Sequence, residues 1–151
     1  MDPVLVRLLG VLGLVVVVAV AGAWWQRRDG RVRAGDGAVT LADTHLDAVG
    51  LDLRDRAAGA VLLGSPTCAP CTAVKQVLTD LATERDDFTW VYADAADHLD
   101  LAEAHKVMRV PTLFVVDGEG RVLARSSGVP RADDLRRVLD EGEPLAESPA
   151  A

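Results

Sequence analysis

The sequence predicts an α/β domain, in which a mixed central sheet carries helices on both faces, preceded by a single N-terminal transmembrane helix. Three observations predict this arrangement. Residues 8–25 form a run of 18 residues without charge. Between residues 60 and 106, apolar runs alternate with segments of helical character, which is typical of strands joined by crossover helices. Residues 117–120, Asp-Gly-Glu-Gly, are a hairpin signal, and an antiparallel hairpin makes the sheet mixed.

Composition and charge exclude several classes of protein. The chain has 151 residues, of which 50% are hydrophobic and 26% charged, so it is not a disordered chain. Its net charge of −7 argues against a nucleic-acid partner. Two cysteines are too few for a disulfide-stapled miniature fold or for an all-cysteine zinc site within one chain.

The N-terminal segment is predicted to cross a membrane at residues 4–25. A helix of about 20 residues spans a hydrocarbon core of about 30 Å, at 1.5 Å per residue. Arg7 can reach the interface from within the span, and Trp24 and Trp25 lie at the other end, where aromatic rings favour the headgroup region. The sequence therefore predicts a single-pass membrane protein.

A cleaved signal peptide is the alternative, because residues 21–23, Ala-Gly-Ala, resemble a cleavage site. The apolar run is longer than a usual signal-peptide core, and most of the arginines follow it. One arginine precedes the uncharged run and four follow it, whereas residues 38–151 carry the acidic excess. The positive-inside rule then predicts a cytosolic C-terminal domain, with an extracytoplasmic domain as the alternative.

The first half of the remaining chain is predicted as follows. Residues 26–37 contain three glycines among charged residues and are interpreted as a basic juxtamembrane tether. Residues 38–41 are a possible edge strand, and Asp43 can begin a short helix through residue 49. The apolar run at 60–63 predicts a buried central strand. The helix from 68 to about 85 carries apolar side chains at i, i+3, i+4 and i+7 from Val74.

The second half completes the predicted domain, residues 38–141. Residues 88–93 are aromatic and β-branched and predict a strand. Residues 96–106 are interpreted as helical, and residues 112–116 as a second apolar strand that the hairpin connects to residues 121–125. Residues 133–141 predict a closing helix, and residues 142–151 a flexible tail.

The candidate chemistry is concentrated at Cys68 and Cys71, which directly follow the predicted buried strand and open the next helix. The unpaired N–H groups at a helix N-terminus favour a thiolate, which is the nucleophilic form of cysteine. The second thiol, three residues on, is close enough to resolve a mixed disulfide. Pro70 fits a first helical turn because it needs no hydrogen-bond acceptor there. Two inert buried cysteines are the alternative; a zinc site would need two more ligands, and the three histidines lie outside the motif.

These residues resemble the thioredoxin-like family over most of residues 38–141. The resemblance rests on the order of elements and on two motifs, Thr67-Cys68-Ala69-Pro70-Cys71 and Val110-Pro111-Thr112. It implies a thioredoxin-like fold, a cis peptide bond before Pro111, and pairing of the Val110 backbone with an extended substrate segment. It also implies that Gly128 allows a partner to approach closely.

The chain departs from thioredoxins proper at four positions. Thr67 and Ala69 stand where those proteins usually have tryptophan and glycine. The buried aspartate–lysine pair beneath the family's active site corresponds by spacing to Leu62 and Trp90, which carry no charge. These departures resemble the specialised membrane-tethered thioredoxin-like proteins of bacteria, and they leave the proton acceptor for Cys71 unidentified.

The resemblance implies a membrane-tethered thiol–disulfide oxidoreductase in which Cys68 attacks a protein disulfide and Cys71 resolves the mixed disulfide. Pro70 resembles the reducing members, so reduction is the expected direction. The expected partners are protein disulfides, a thiol reductant or reductase, and the membrane through residues 4–25. The redox-active cysteine pair needs no cofactor or metal. The alternative is a non-catalytic or redox-sensing adaptor of a membrane complex with the same fold.

Overall fold

The central element is a five-stranded sheet described in a computed structural model, which covers residues 3–28, 32–34, 40–41 and 43–142. The strands are β1 (Val32–Ala34), β2 (Ala58–Gly64), β3 (Phe88–Asp94), β4 (Thr112–Asp117) and β5 (Val122–Ser127). The helices are α1 (Pro3–Arg28), α2 (Asp43–Val49), α3 (Ala69–Glu84), α4 (Leu99–Ala104) and α5 (Ala132–Glu141). The elements agree in kind and order with the predicted α/β architecture, and only β1 was not predicted.

The strand order is β1-β5-β4-β2-β3, and the sheet is mixed as predicted. β2 pairs in parallel with β3 through the α3 crossover, whereas the β4–β5 hairpin and the β2–β4 pair are antiparallel. Gly120 has φ +78 at the end of the hairpin turn, a conformation that favours glycine. β2 lies between β4 and β3, and all seven of its residues are buried because both faces of the sheet are covered.

Side chains alternate between two cores along β2. Ala60 and Leu62 face α3 and α5, and pack with a cluster that includes Val74, Leu78 and Leu135. The next residues along the strand face the opposite side, where α2 and α4 contribute the other apolar cluster: Leu46, Val49, Val61, Leu63, Leu101 and Phe114. Helices therefore cover both faces of the sheet.

Three residues of the predicted tether, residues 26–37, belong to the sheet. Val32–Ala34 form β1, which pairs antiparallel with β5, so that Val32 lies opposite Ser126. This pairing covers the outer edge of the hairpin, which would otherwise present unpaired backbone groups. The helix before it extends to Arg28. Of the predicted edge strand at 38–41, residues 38 and 39 lie outside the described residues, and Thr40 forms an isolated bridge with Arg121.

Within α1, Arg7–Trp24 is long and apolar enough to cross a membrane, with a mean hydropathy of 2.2 over 18 residues and none of it buried. A signal sequence has the same properties, so the helix supports either interpretation. At the other end of the described chain, Gly142 ends α5 with φ +59. The rest of the predicted tail, residues 143–151, lies outside the described residues.

Candidate active site

The two cysteines form a disulfide at the start of α3. The sulfurs are 2.05 Å apart and the Cα atoms 5.4 Å apart. Cys68 is half-buried, whereas Cys71 is only 3% exposed and belongs to the buried face of the helix. Thr67, Ala69 and Pro70 are exposed around the disulfide. A partner molecule can therefore reach Cys68 more readily than Cys71.

The chain folds locally so that Cys68 is the N-cap residue of α3. The Cys68 N–H donates to the carbonyl of Ser65, and the Cys71 N–H donates to the carbonyl of Cys68, each at 3.1 Å. Pro70 lies in the first turn, where its missing N–H leaves no bond unmade. The positive end of the helix macrodipole is thus located at Cys68, where it favours the thiolate once the disulfide is reduced.

A second loop lies at the same end of the strands as the disulfide. The Val110–Pro111 peptide bond is cis, as the resemblance implied. Thr112, the next residue, lies opposite Leu63 at the end of β2 that leads to the disulfide loop. The Gly128 N–H donates to the carbonyl of Pro111 at 2.9 Å, and Gly128 has φ +99. The structure therefore places Val110, Pro111 and Gly128 together, at the same end of the strands as the disulfide.

Beneath the disulfide, a glycine makes room for a sulfur and an aromatic ring. A Cβ on Gly64 would lie 2.5 Å from Tyr92 Cε2 and 3.0 Å from Cys71 Sγ, so both groups approach the same point of the β2 backbone. The Lys75 ammonium lies 3.8 Å from the centre of the Tyr92 ring. Burial, and then the charges of Asp94 and Asp97, raises the pKa of Tyr92, so its ring is uncharged at neutral pH.

Two apolar residues occupy the positions of the family's charged pair. Leu62 is fully buried, and Trp90 packs against the same core from β3. In the sheet register, Leu62 lies opposite Tyr92 and Ala60 opposite Trp90. The cluster of Gly64, Tyr92 and Lys75 was missed in the sequence, although Lys75 is one helical turn from Cys71 and that spacing is visible there.

His45 and His105 lie away from this site. His105 lies edge-on to His45, with ring centres 6.0 Å apart, and to Phe114 at 5.4 Å, on the face of the sheet opposite α3. His45 Nε2 is 3.7 Å from a carboxylate oxygen of Asp100. Within the described parts of the chain, no group of three or more histidine, cysteine or acidic residues is arranged to hold a metal.

Acid is expected to destabilise the domain through His105. Burial, and then the charges of His45 and Arg125, lowers the pKa of His105 below its ordinary value of 6.5. Between the lowered pKa of the folded chain and the ordinary value of the unfolded chain, the unfolded chain binds more protons than the folded chain. The free energy of unfolding therefore falls as the pH falls below about 6.5. Urea unfolding of the full chain at about pH 7.5 and pH 5.5 measures this loss.

The loss is expected to be smaller in His105→Asn, which removes the titrating group. The matched control is His98→Asn, because it also removes one histidine but lies outside the His45–His105 pair. An equal loss of stability in the parent chain and in His105→Asn would contradict the assignment.

Comparisons with known proteins agree with this geometry. No curated protein matches the chain in sequence. Among solved structures, mitochondrial thioredoxin 3 from Saccharomyces cerevisiae in its oxidised form superposes with a TM-score of 0.52 and 19% identity, covering 63% of this chain and 87% of its own. A thioredoxin variant from Halobacterium salinarum NRC-1 superposes with a TM-score of 0.55 and 24% identity, covering 71% of this chain and 90% of its own. Chloroplastic thioredoxin z superposes with a TM-score of 0.54 and 20% identity, covering 67% of this chain and 89% of its own.

These identities establish the fold alone, and the sequence itself establishes the family. Residues 60–140 match the family described as the thioredoxin domain, which is more than half of the chain. The match begins in β2, includes both cysteines and the cis-proline loop, and ends in α5. The chain therefore belongs to the thioredoxin-like family.

Proposed function

We propose that the protein is a membrane-tethered thiol–disulfide oxidoreductase that reduces disulfides in other proteins. The observation that carries the proposal is the Cys68–Cys71 disulfide at the N-terminus of α3, with a half-buried first cysteine and a buried second one. This arrangement provides an attacking sulfur that a substrate can reach and a resolving sulfur that is held behind it.

The reaction proceeds in two exchanges. The reduced Cys68 thiolate attacks one sulfur of a substrate disulfide, the substrate S–S bond breaks, and one substrate sulfur leaves as a thiolate. Cys71 then attacks Cys68 Sγ, which re-forms the intramolecular disulfide and releases the second substrate thiolate. The substrate gains two electrons and the protein loses two, so a thiol reductant or a reductase must restore the pair before the next turnover.

The substrate segment is proposed to lie beside Val110. The hydrogen bond from Gly128 to the Pro111 carbonyl holds the loop against the end of β5. An extended substrate strand could pair with the Val110 backbone, as in other cases of strand addition. Gly128 has no side chain and so leaves space for that strand.

The reducing direction is supported by Pro70 between the cysteines and is tested by the reduction potential. We expect a value close to the roughly −270 mV of thioredoxin, measured by equilibration of the full chain with a dithiol buffer. A value close to the roughly −120 mV of strong oxidants would overturn the reducing direction and leave the oxidoreductase assignment intact.

The membrane tether is proposed from the exposed apolar helix, residues 4–25 in the sequence, which contains the span Arg7–Trp24. The positive-inside rule favours a cytosolic domain, since the arginines follow the span. Pre-reduced cells expressing the protein would be exposed to a membrane-impermeant thiol reagent, which reports on this chain's only two cysteines, Cys68 and Cys71.

Labelling only after lysis would support the cytosolic orientation and a supply of electrons from cytosolic thiols. Labelling of intact cells would reverse the orientation and require a membrane electron carrier. Release of the mature chain from the membrane fraction, cut after residues 21–23, would instead identify α1 as a signal peptide.

A further inference from the structure

The buried position of Cys71 raises a problem for the resolving step. Cys71 must act as a thiolate in this step. However, Cys71 is only 3% exposed, and burial disfavours the charged form of a thiol. The charged pair that lies beneath the active site in thioredoxins is replaced by Leu62 and Trp90. A different group must therefore offset the burial of the thiolate.

Lys75 lies on the same face of α3 as Cys71, one helical turn further along. Its ammonium is held 3.8 Å from the centre of the Tyr92 ring, a cation–π contact. Cε2 of that ring and Cys71 Sγ lie 2.5 Å and 3.0 Å from the position that a Cβ on Gly64 would take. The ring thus connects the ammonium to the surroundings of the resolving sulfur.

Two carboxylates also act at this place. Asp94 ends β3, and Asp97 follows in the next turn; both act on Tyr92. β2 contributes Gly64 here, which has no side chain to titrate. Their negative charge would oppose a thiolate near the Tyr92 ring, whereas the Lys75 ammonium on that ring would favour one.

We propose that Lys75, positioned by Tyr92, stabilises the Cys71 thiolate in the resolving step. The inference rests on the proposed function. The Cys71 thiol releases its proton to solvent, and the thiolate attacks Cys68 Sγ in the mixed disulfide. The Cys68–Cys71 bond forms, the bond to the substrate breaks, and the substrate sulfur leaves with the electron pair and takes a proton from solvent. Lys75 supplies charge and Tyr92 is a positioning residue.

The test uses the full chain in detergent with Cys68→Ser, which leaves Cys71 as the only thiol. The rate of alkylation by iodoacetamide, measured from about pH 6 to pH 10, gives the midpoint of thiolate formation. Adding Lys75→Met should raise this midpoint by about half a pH unit, an approximately threefold loss of thiolate at neutral pH. Adding Lys75→Arg, which keeps the charge, should restore it.

The matched control is Lys106→Met, because Lys106 is the only other lysine and its removal changes the net charge equally. It should leave the midpoint unchanged. An unchanged midpoint in Lys75→Met, or an equal shift in Lys106→Met, would overturn the proposal. Circular dichroism of each variant confirms that it is folded.

Two further variants separate the ring of Tyr92 from its hydroxyl. Tyr92→Phe keeps the ring and should leave the midpoint unchanged, whereas Tyr92→Leu should raise it by less than Lys75→Met does. Equal shifts of the midpoint in Tyr92→Phe and Tyr92→Leu would contradict the positioning role of the ring. No substrate takes part in this titration, so its failure is distinct from a failure of the parent chain to reduce disulfides.

Discussion

Replacement of Cys68 by serine is expected to abolish disulfide reduction by the full chain. Serine is nearly isosteric with cysteine, but its hydroxyl is not a thiolate nucleophile and cannot form a mixed disulfide. The assay is reduction of a model protein disulfide in the presence of a small dithiol, with the background rate from the dithiol subtracted. After this subtraction, we expect no measurable rate for Cys68→Ser, because no other group of the chain can form the mixed disulfide with the substrate in its place.

Replacement of Cys71 by serine is expected to give a different defect. Cys68 can still attack, but nothing resolves the product, so a covalent mixed disulfide should accumulate and disappear on reduction in non-reducing gels. Thr83→Ala, an exposed substitution further along α3, is the control and should retain full activity. Failure of Cys71→Ser to trap any substrate would contradict the proposed sequence of exchanges.

The adaptor hypothesis makes the opposite prediction for the double variant. If the domain acted only as a scaffold, a Cys68→Ala and Cys71→Ala chain would function fully in cells. A redox sensor would lose its response to oxidants in that variant without needing any turnover in the disulfide assay. These outcomes separate the alternatives from the proposed oxidoreductase.

Replacement of Phe114 by alanine is expected to be the most damaging change to stability. Phe114 is 2% exposed in β4, lies opposite Val61, and contacts the ring of His105. Arg125, whose guanidinium lies 5.1 Å from the centre of the Phe114 ring, also donates to the carbonyl of His105 at 2.8 Å. Truncation therefore removes buried apolar area and leaves a cavity at the contact between the sheet and the end of α4.

The expected cost is about 3–5 kcal/mol, a large part of the roughly 5–15 kcal/mol that stabilises a domain of this size. Thermal unfolding followed by circular dichroism should show a melting temperature lower by about 15–30 °C. Leu99→Ala is the control, because Leu99 is 60% exposed and its truncation should change stability by less than about 0.5 kcal/mol. A change of the same small size in Phe114→Ala would contradict the assigned core.

Most elements were predictable because their patterns are strong and local. The apolar run at 60–63 and the periodicity after Cys68 identified β2 and α3, whose observed bounds are Ala58–Gly64 and Ala69–Glu84. The bounds differ by a few residues because the ends depend on pairing partners and caps. β1 was not predicted, since a three-residue strand is too short to show alternation and exists through its pairing with β5.

The same difference applies to the active site. Cys68, Pro70 and Cys71 lie within four residues of one another, so their position at the start of α3 could be predicted from the motif and the helix that follows. The arrangement of Lys75 against Tyr92 depends on the parallel pairing of β2 with β3, which brings Tyr92 beside Leu62 and close to Gly64. Gly64 and Tyr92 are 28 positions apart along the chain, and no local sequence pattern connects them.

By itself, the sequence determined the α/β class, the position of the cysteine pair at a helix N-terminus and the presence of one long apolar helix. Each of these follows from the periodicity or spacing of neighbouring residues. Only the tertiary structure decided that Val32–Ala34 completes the sheet, that Gly128 holds the cis-proline loop, and that Tyr92 lies near Cys71 and contacts Lys75. These contacts join distant segments, and they form because packing two apolar clusters against one sheet leaves a single register for its strands.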